Sequence, residues 1–149
     1  MCKGQLAKNL FLQGKNCSQS VVLAFQSEIN LPEDVLSKIS LAFGGGFARQ
    51  RLICGAVSGM AMAISYIFSN KNATNKTEIY SLVQQATETF KKQLGSIICA
   101  DLLDGISTST SPQAEERTEE YYKKRPCAEI CEIAANIVQQ IIETNKKVL

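Results

Sequence analysis

The chain has 149 residues, of which 45% are hydrophobic and 20% are charged, and its formal net charge is +2 at pH 7. This composition is typical of a globular protein and argues against a disordered chain. The small net charge, the 7% aromatic content and the absence of Trp argue against nucleic-acid binding by charge or base stacking. We therefore expect one folded domain that spans residues 1–149.

Six cysteines and no histidine narrow the chemistry further. Without histidine, the Cys–His nucleophile pair and every zinc site with a histidine ligand are excluded. The N-terminal segment, MCKGQLAKNLFLQGKNC, contains no apolar run as long as that of a signal peptide. We expect a cytoplasmic protein, in which cysteines stay reduced and serve chemistry or metal binding more often than structural disulfides.

Apolar residues recur at helical spacing along most of the chain, and no segment alternates convincingly with period two. Over residues 6–29 this spacing predicts one helix broken at Gly14, or two short helices. Asn16 and Gln19 have the spacing of a capping box at the second start. Residues 32–43 follow as a helix, because proline and acidic residues favour its first turn.

In the rest of the chain, capping residues, prolines and glycines again mark where helices begin and end. First come a glycine turn at 44–46, a helix over 52–68, and a helix opened by Asn75 and ended by Gly95. A short helix capped by Ser96 and a polar loop over 105–111 follow. The sequence then predicts a charged helix from Pro112 and a last helix from Pro126. The expected fold is all-α, a single-domain helical bundle of about five to seven helices.

The stretch LICGAVSGMAMAISYIF contains 17 residues without a charge. A membrane-spanning helix needs about 20 such residues, and the serines within the stretch weaken a membrane interpretation. We therefore expect a buried central helix and no membrane span. Gly55 and Gly59 form a G-x-x-x-G pattern, which permits close approach of a neighbouring helix. A homodimer through this small-residue face is an alternative use of the pattern.

Four cysteines fall at predicted helix starts: Cys17, Cys54, Cys99 and Cys127. The first turn of a helix presents unpaired N–H groups and the positive end of the helix dipole. Both favour thiolate over thiol and predict a lowered pKa, which suits attack on disulfides or binding of soft metals. The alternative is that they fill the core as small apolar residues. Cys131 is expected to be packing, and Cys2 to be incidental.

Five glycines are candidates for shaping a site around these thiols: Gly44, Gly45, Gly46, Gly55 and Gly59. The last two leave room beside Cys54 for a helix, a second cysteine or a ligand. The triple glycine offers backbone N–H groups to an anion or a cluster sulfide. A close helix crossing is the alternative explanation.

In chain order, the sequence contains NCSQ around Cys17, FGGGFAR, CGAVSG after Ile53, Cys99, and RPCAEIC around Cys127. With these features the chain resembles the putative redox-active proteins named for their C–GCAxxG–C–C array. The resemblance spans roughly residues 14–138, with Ile53 where a hydroxyl residue is common and Cys131 as an addition. It implies a small helical redox protein whose four family cysteines are those at the predicted helix starts. A haem-carrying group with this array holds an iron–sulfur centre, which keeps cluster binding open.

Three functions follow from these observations. The first is a thiol–disulfide redox protein, with Cys54 as the principal thiol and an unidentified redox protein or small thiol as partner. The second is a metal site in which Cys17, Cys54, Cys99 and Cys127 bind zinc or an iron–sulfur cluster. The third is a helical interaction module with packing cysteines. The first two require all four sulfur atoms to meet in one place.

Overall fold

The computed structural model describes residues 1–146, so residues 147–149 of the predicted domain lie outside the described residues. The described residues form these helices: α1 (Lys3–Leu12), α2 (Cys17–Ala24), α3 (Gln26–Ile29), α4 (Glu33–Ser40), α5 (Gly44–Phe47), α6 (Gly55–Phe68), α7 (Lys76–Leu94), α8 (Cys99–Leu102), α9 (Glu119–Lys124) and α10 (Cys127–Thr144). A 3-10 turn, Leu41–Phe43, joins α4 to α5. The predicted all-α class is confirmed.

The predicted number of helices, about five to seven, matches only the six that have at least eight residues. The other four are short, and α5 is a turn in which Gly45 and Gly46 have φ of 65° and 70°. Such left-handed backbone is accessible to glycine without strain, so the triple glycine forms a turn as predicted.

The core forms where the longer helices meet. The α1 helix packs against α10 and α2, while α6 lies between α2 and α7 and also contacts α10. Phe11, Phe25, Met60 and Phe90 are each at most 1% exposed and fill these contacts. Burying such side chains contributes roughly 1.5–3 kcal/mol each to folding. Among residues 1–146, the structure has no helix long and apolar enough to cross a membrane.

The start of the central helix differs from the prediction. The α6 helix begins at Gly55 and not at residue 52. Residues before it pair with another extended segment, through an isolated antiparallel bridge between Ile53 and Ile98. The Cys54 amide donates to the Ile97 carbonyl at 2.8 Å, and the Cys99 amide donates to the Leu52 carbonyl at 2.6 Å. The backbone before α6 is thus committed to the bridge and cannot be helical.

The prediction that Pro112 opens a charged helix is wrong. The corresponding helix, α9, begins at Glu119 after the N-cap Thr118, whose hydroxyl accepts from the Tyr121 amide at 3.1 Å. Glu115 and Arg117 lie before it in extended chain and form long-range contacts. Tertiary contacts therefore determine this part of the chain, which a local proline rule cannot anticipate.

Two predicted caps also differ in detail. Asn75 precedes α7 but forms no side-chain cap, since its amide donates to the Phe68 carbonyl and to Glu78. The N-cap of α8 is Ile98, while Ser96 accepts from the Ile98 amide. The capping box of α2 is confirmed in both directions.

Candidate thiol site

The four candidate cysteines lie at helix starts, as predicted. Cys17, Cys99 and Cys127 are the first residues of α2, α8 and α10, and Cys54 is the N-cap of α6. All four line one cavity of about 60 Å³, which we name the thiol cavity. The structure thus brings together four cysteines that are far apart in the sequence.

Glycines bring these cysteines into proximity. A Cβ atom added to Gly55 would lie 3.1 Å from the Cys17 Cβ, and one added to Gly46 would lie 2.5 Å from the Cys99 Cβ. A Cβ on Gly59 would lie 2.8 Å from the Val21 Cβ of α2. The glycines of CGAVSG therefore serve the close crossing of α2 and α6, which was the alternative explanation of the pattern.

The two parts of the triple glycine have different surroundings. Gly45 and Gly46 line the thiol cavity, as does Gly55. Gly44 packs instead against the side chain of Asn16, the residue that caps α2 just before Cys17. The turn thus contacts the starts of both α2 and α8.

The expectation that glycines leave Cys54 accessible is wrong. Cys54 is only 5% exposed, because α2 covers the glycine face of α6. Cys99 and Cys127 are 7% and 9% exposed, and Cys17 is half-buried. Access to the thiols is therefore narrow, and Cys17 has the greatest exposure of the four.

The predicted lowering of the cysteine pKa values is also wrong. Burial raises the pKa of Cys54 to about 12, although the amides of Ala56 and Val57 favour its thiolate. Burial likewise raises the pKa of Cys99, against the opposing effect of Arg51. Desolvation of the charged sulfur thus outweighs the helix start, and both groups are neutral thiols at neutral pH.

Cys17 interacts with both Cys127 and Cys131, and Cys17 and Cys127 each have the largest single effect on the other's pKa. The contact with Cys17, followed by burial, raises the pKa of Cys127. Cys127 lowers the pKa of Cys17. Cys131 and burial raise that pKa, and together they outweigh the effect of Cys127, so the pKa of Cys17 is raised overall. The two thiols share one environment, and the pKa of each is raised overall.

The two remaining cysteines have different environments. Cys131 is completely buried, and its thiol donates to the Cys17 carbonyl at 3.9 Å. It thus packs beside the site, close to the predicted packing role. Cys2 is exposed and caps α1, where its sulfur accepts from the Gln5 amide at 3.4 Å.

Three arginines that the sequence reasoning did not select also line the thiol cavity: Arg51, Arg117 and Arg125. Arg51 donates to the Cys99 sulfur at 3.9 Å. The guanidinium of Arg117 lies 4.3 Å from the Phe11 ring centroid, and that of Arg125 lies 4.8 Å from the Tyr121 centroid. The signal for Arg117 and Arg125 in the sequence is the basic and aromatic run RTEEYYKKRP directly before Cys127.

The metal alternative can be compared with this geometry. Four cysteine sulfurs are a suitable ligand set for zinc or an iron–sulfur cluster. Within residues 1–146, however, no three cysteine, aspartate or glutamate side chains lie close enough together to hold a metal ion. The four cysteines line one cavity without a group of three at metal-binding distance, and the metal site stays a prediction.

The family model described as putative redox-active protein (C_GCAxxG_C_C) matches residues 15–141 of the chain. Comparison with curated proteins and with solved structures found no match. The matched segment contains the four cysteines of the thiol cavity and most of the chain. The chain belongs to the C_GCAxxG_C_C family of putative redox-active proteins.

Proposed function

We propose that the protein cycles cysteines of the thiol cavity between dithiol and disulfide in a reducing compartment such as the cytoplasm. The observation that carries this proposal is that four cysteines from separate helix starts line one cavity. Cysteines that only filled the core would have no reason to share one cavity at helix starts, beside three arginines. Membership of a family described as redox-active supports the same chemistry.

Cys17 and Cys127 are proposed as the pair that oxidises first. Each has the largest single effect on the other's pKa, and both line the thiol cavity. As a whole residue Cys17 is half-buried while the other three are buried, although its thiol lies deep in the cavity, and we propose it as the thiol that attacks the oxidant. This replaces Cys54, the principal thiol expected from the sequence, because Cys54 is buried and its pKa is raised to about 12.

The oxidant in this proposal is a disulfide. Cys17 loses its proton to water, and its thiolate attacks one sulfur of the disulfide, whose S–S bond breaks and releases one thiolate. Cys127 then loses its proton and attacks the Cys17 sulfur of the mixed disulfide. The second thiolate leaves, and the two released thiolates take up the two protons. Two electrons pass from the protein to the oxidant, which becomes two thiols.

Burial of the thiols should restrict which oxidants can react with them. Neutral thiols are weak nucleophiles, so a reduced site with raised pKa values reacts slowly with oxidants in bulk solution. Reaction then requires an oxidant that enters the cavity and reaches Cys17. The proposed role is exchange with a particular small or extended disulfide, and not indiscriminate scavenging.

The experiment is a redox titration with defined ratios of reduced and oxidised dithiothreitol, followed by alkylation and mass-spectrometric mapping of disulfides. We expect one reversible Cys17–Cys127 disulfide in the wild type. Cys17→Ser and Cys127→Ser should abolish it, while Cys2→Ser serves as a control because Cys2 is exposed and lies outside the cavity. A wild type in which no pair of the four cavity cysteines oxidises reversibly would contradict the proposal and favour the interaction module.

A further inference from the structure

A second cavity adjoins the thiol cavity. Its volume is about 330 Å³, and we name it the outer chamber. The two cavities share six lining residues: Asn16, Gly45, Arg51, Arg117, Tyr121 and Arg125. The outer chamber therefore lies directly against the thiol cavity.

The outer chamber is strongly cationic. Its described lining contains four arginines and one acidic residue: Arg49, Arg51, Arg117, Arg125 and Glu115. The Glu115 carboxylate lies 2.9, 3.6 and 2.7 Å from guanidinium nitrogens of Arg49, Arg51 and Arg125, respectively. One carboxylate cannot neutralise these charges, so the lining carries an excess of three positive charges.

The guanidinium of Arg125 offers donors to a ligand in this chamber. Its side chain is 6% exposed, and within the described residues its Nη2 donates to Glu115 at 2.7 Å. Guanidinium carries five N–H donors, so one such bond leaves others available. No fully buried side-chain nitrogen in residues 1–146 lacks a hydrogen-bond partner, so any Arg125 nitrogen without one is in contact with solvent-accessible space. A carboxylate in the chamber would accept from them.

The other arginines hold the surrounding chain in place. Arg51 donates through Nε and Nη2 to the Ser109 carbonyl at 3.2 and 3.1 Å, and Arg49 donates to the carbonyls of Ser111 and Gln113. Arg117 donates to the Phe11 carbonyl at 3.1 Å, near the end of α1. These bonds fix the positive charges in position before a ligand arrives, so little reorganisation is needed on binding.

We infer that the outer chamber binds the carboxylates of a small anionic disulfide, and that this class of molecule is the oxidant of the thiol site. The inference rests on the proposed function. Small-molecule sites usually measure about 300–1,000 Å³, which places this chamber at the lower end of that range. Arginine and carboxylate form charge-assisted, frequently bidentate hydrogen bonds, which give both affinity and orientation.

The first arm of the test compares three disulfides of similar size and different charge: dithiodiglycolate, bis(2-hydroxyethyl) disulfide and cystamine. Each rate of protein oxidation is divided by the rate of the same disulfide with free 2-mercaptoethanol, which removes differences in intrinsic reactivity. We expect the dianion to react at least about tenfold faster than the neutral disulfide, and the dication to be slowest. The preference should decrease at high salt, where screening shortens the range of charge interactions.

The second arm measures binding without redox chemistry. Adipate has the shape and charge of dithiodiglycolate but no disulfide, and 1,6-hexanediol is its neutral counterpart. We expect adipate, but not hexanediol, to bind saturably in calorimetry and to slow alkylation of the cavity cysteines by neutral iodoacetamide. Arg125→Gln should weaken adipate binding at least about tenfold. Lys92→Gln removes the same charge from an exposed position of α7 and should leave binding unchanged.

The two arms separate the two ideas. If adipate does not bind, or Lys92→Gln weakens binding as much as Arg125→Gln does, the anion site is wrong, whatever the redox result. If adipate binds but no disulfide oxidises the protein, the proposed function fails while the chamber remains an anion site. Equal normalised rates for all three disulfides would overturn the anionic oxidant. Circular dichroism on each variant establishes that it is folded.

Discussion

The Arg51 guanidinium donates to the Cys99 sulfur at 3.9 Å, and both side chains are buried at 8% and 7% exposure. A positive charge beside a buried sulfur stabilises its thiolate, which opposes the effect of desolvation. The same guanidinium donates to the Ser109 carbonyl, so one side chain connects a thiol with the loop over the site. Arg51 therefore contacts both the Cys99 sulfur and the chain at Ser109.

Arg51→Met is expected to make Cys99 less reactive. Burial already raises the pKa of Cys99, and loss of Arg51 removes the charge that opposes this rise. Since one pKa unit changes the thiolate fraction about tenfold, alkylation of Cys99 at pH 8 should slow by up to about tenfold. The measurement is iodoacetamide labelling across pH 7–10 with mass-spectrometric quantification of each cysteine.

Two variants make this prediction specific. Arg51→Lys retains a charge and should restore part of the Cys99 reactivity. Arg49→Met also removes an arginine that holds the loop, but Arg49 is not among the residues of the thiol cavity. If Arg49→Met slows Cys99 as much as Arg51→Met does, the effect comes from the loop and the electrostatic explanation is wrong.

Gly59→Ala is expected to destabilise the protein. In an exposed helix, replacing glycine by alanine adds roughly 1 kcal/mol of stability through helix propensity. Here the new Cβ would lie 2.8 Å from the Val21 Cβ and 2.9 Å from the Ser18 carbonyl oxygen, which belongs to the backbone of α2. Overpacking of this kind costs about 1–3 kcal/mol, so the crowding outweighs the propensity gain.

The measurement is the free energy of unfolding from urea titration. Ser58→Ala is the matched control, because it is adjacent on α6 and should change stability by less than about 0.5 kcal/mol. An increase in stability for Gly59→Ala would mean that α2 and α6 separate at little cost, and would contradict the crossing described here.

Local signals in the sequence predicted where α2 and α10 begin, and with them the positions of Cys17 and Cys127. Asn16 caps α2 through its own side chain, and Pro126 directly precedes α10, so both starts depend on neighbouring residues alone. Helix starts were recoverable for this reason. The convergence of the cysteines was a requirement of the hypotheses and could be checked only in three dimensions.

Properties that depend on distant residues were not recoverable. The helix start predicts a lowered pKa for Cys54, but the sulfur is covered by α2, which lies more than thirty residues earlier in the sequence. Glu115 was assigned to a helix, yet it pairs with Arg49, Arg51 and Arg125. Burial and long-range ion pairs override local preferences, and one sequence does not reveal them.

Zinc is expected not to bind stoichiometrically to the reduced protein. Binding would require several neutral, buried thiols to lose protons and to move together, since no three donors in residues 1–146 are placed for a metal. The measurement is calorimetry with zinc under anaerobic conditions, with Cys2→Ser to remove the exposed thiol. One zinc per chain, with binding lost in Cys17→Ser, Cys54→Ser, Cys99→Ser and Cys127→Ser, would restore the four-cysteine metal site.

The buried Cys54 thiol is expected to make the folded protein sensitive to alkaline pH. Its pKa is raised from the ordinary value of 9.0 to about 12, so the folded state favours the neutral thiol. The resulting stability is fully present below about pH 9 and is lost as pH rises toward about 12. Cys54→Ala abolishes this dependence, so the wild type should lose up to about 1.4 kcal/mol per pH unit relative to the variant.

The measurement is urea unfolding of the wild type and Cys54→Ala at intervals from pH 8 to 11, under reducing conditions. Lysines and tyrosines also titrate in this range, but they do so in both proteins and cancel in the difference. Cys2→Ala is the control, because Cys2 is exposed and lies outside the thiol cavity. A constant difference for Cys54→Ala would show that water reaches the Cys54 sulfur in the folded protein, and that the thiol cavity is more open than its geometry indicates.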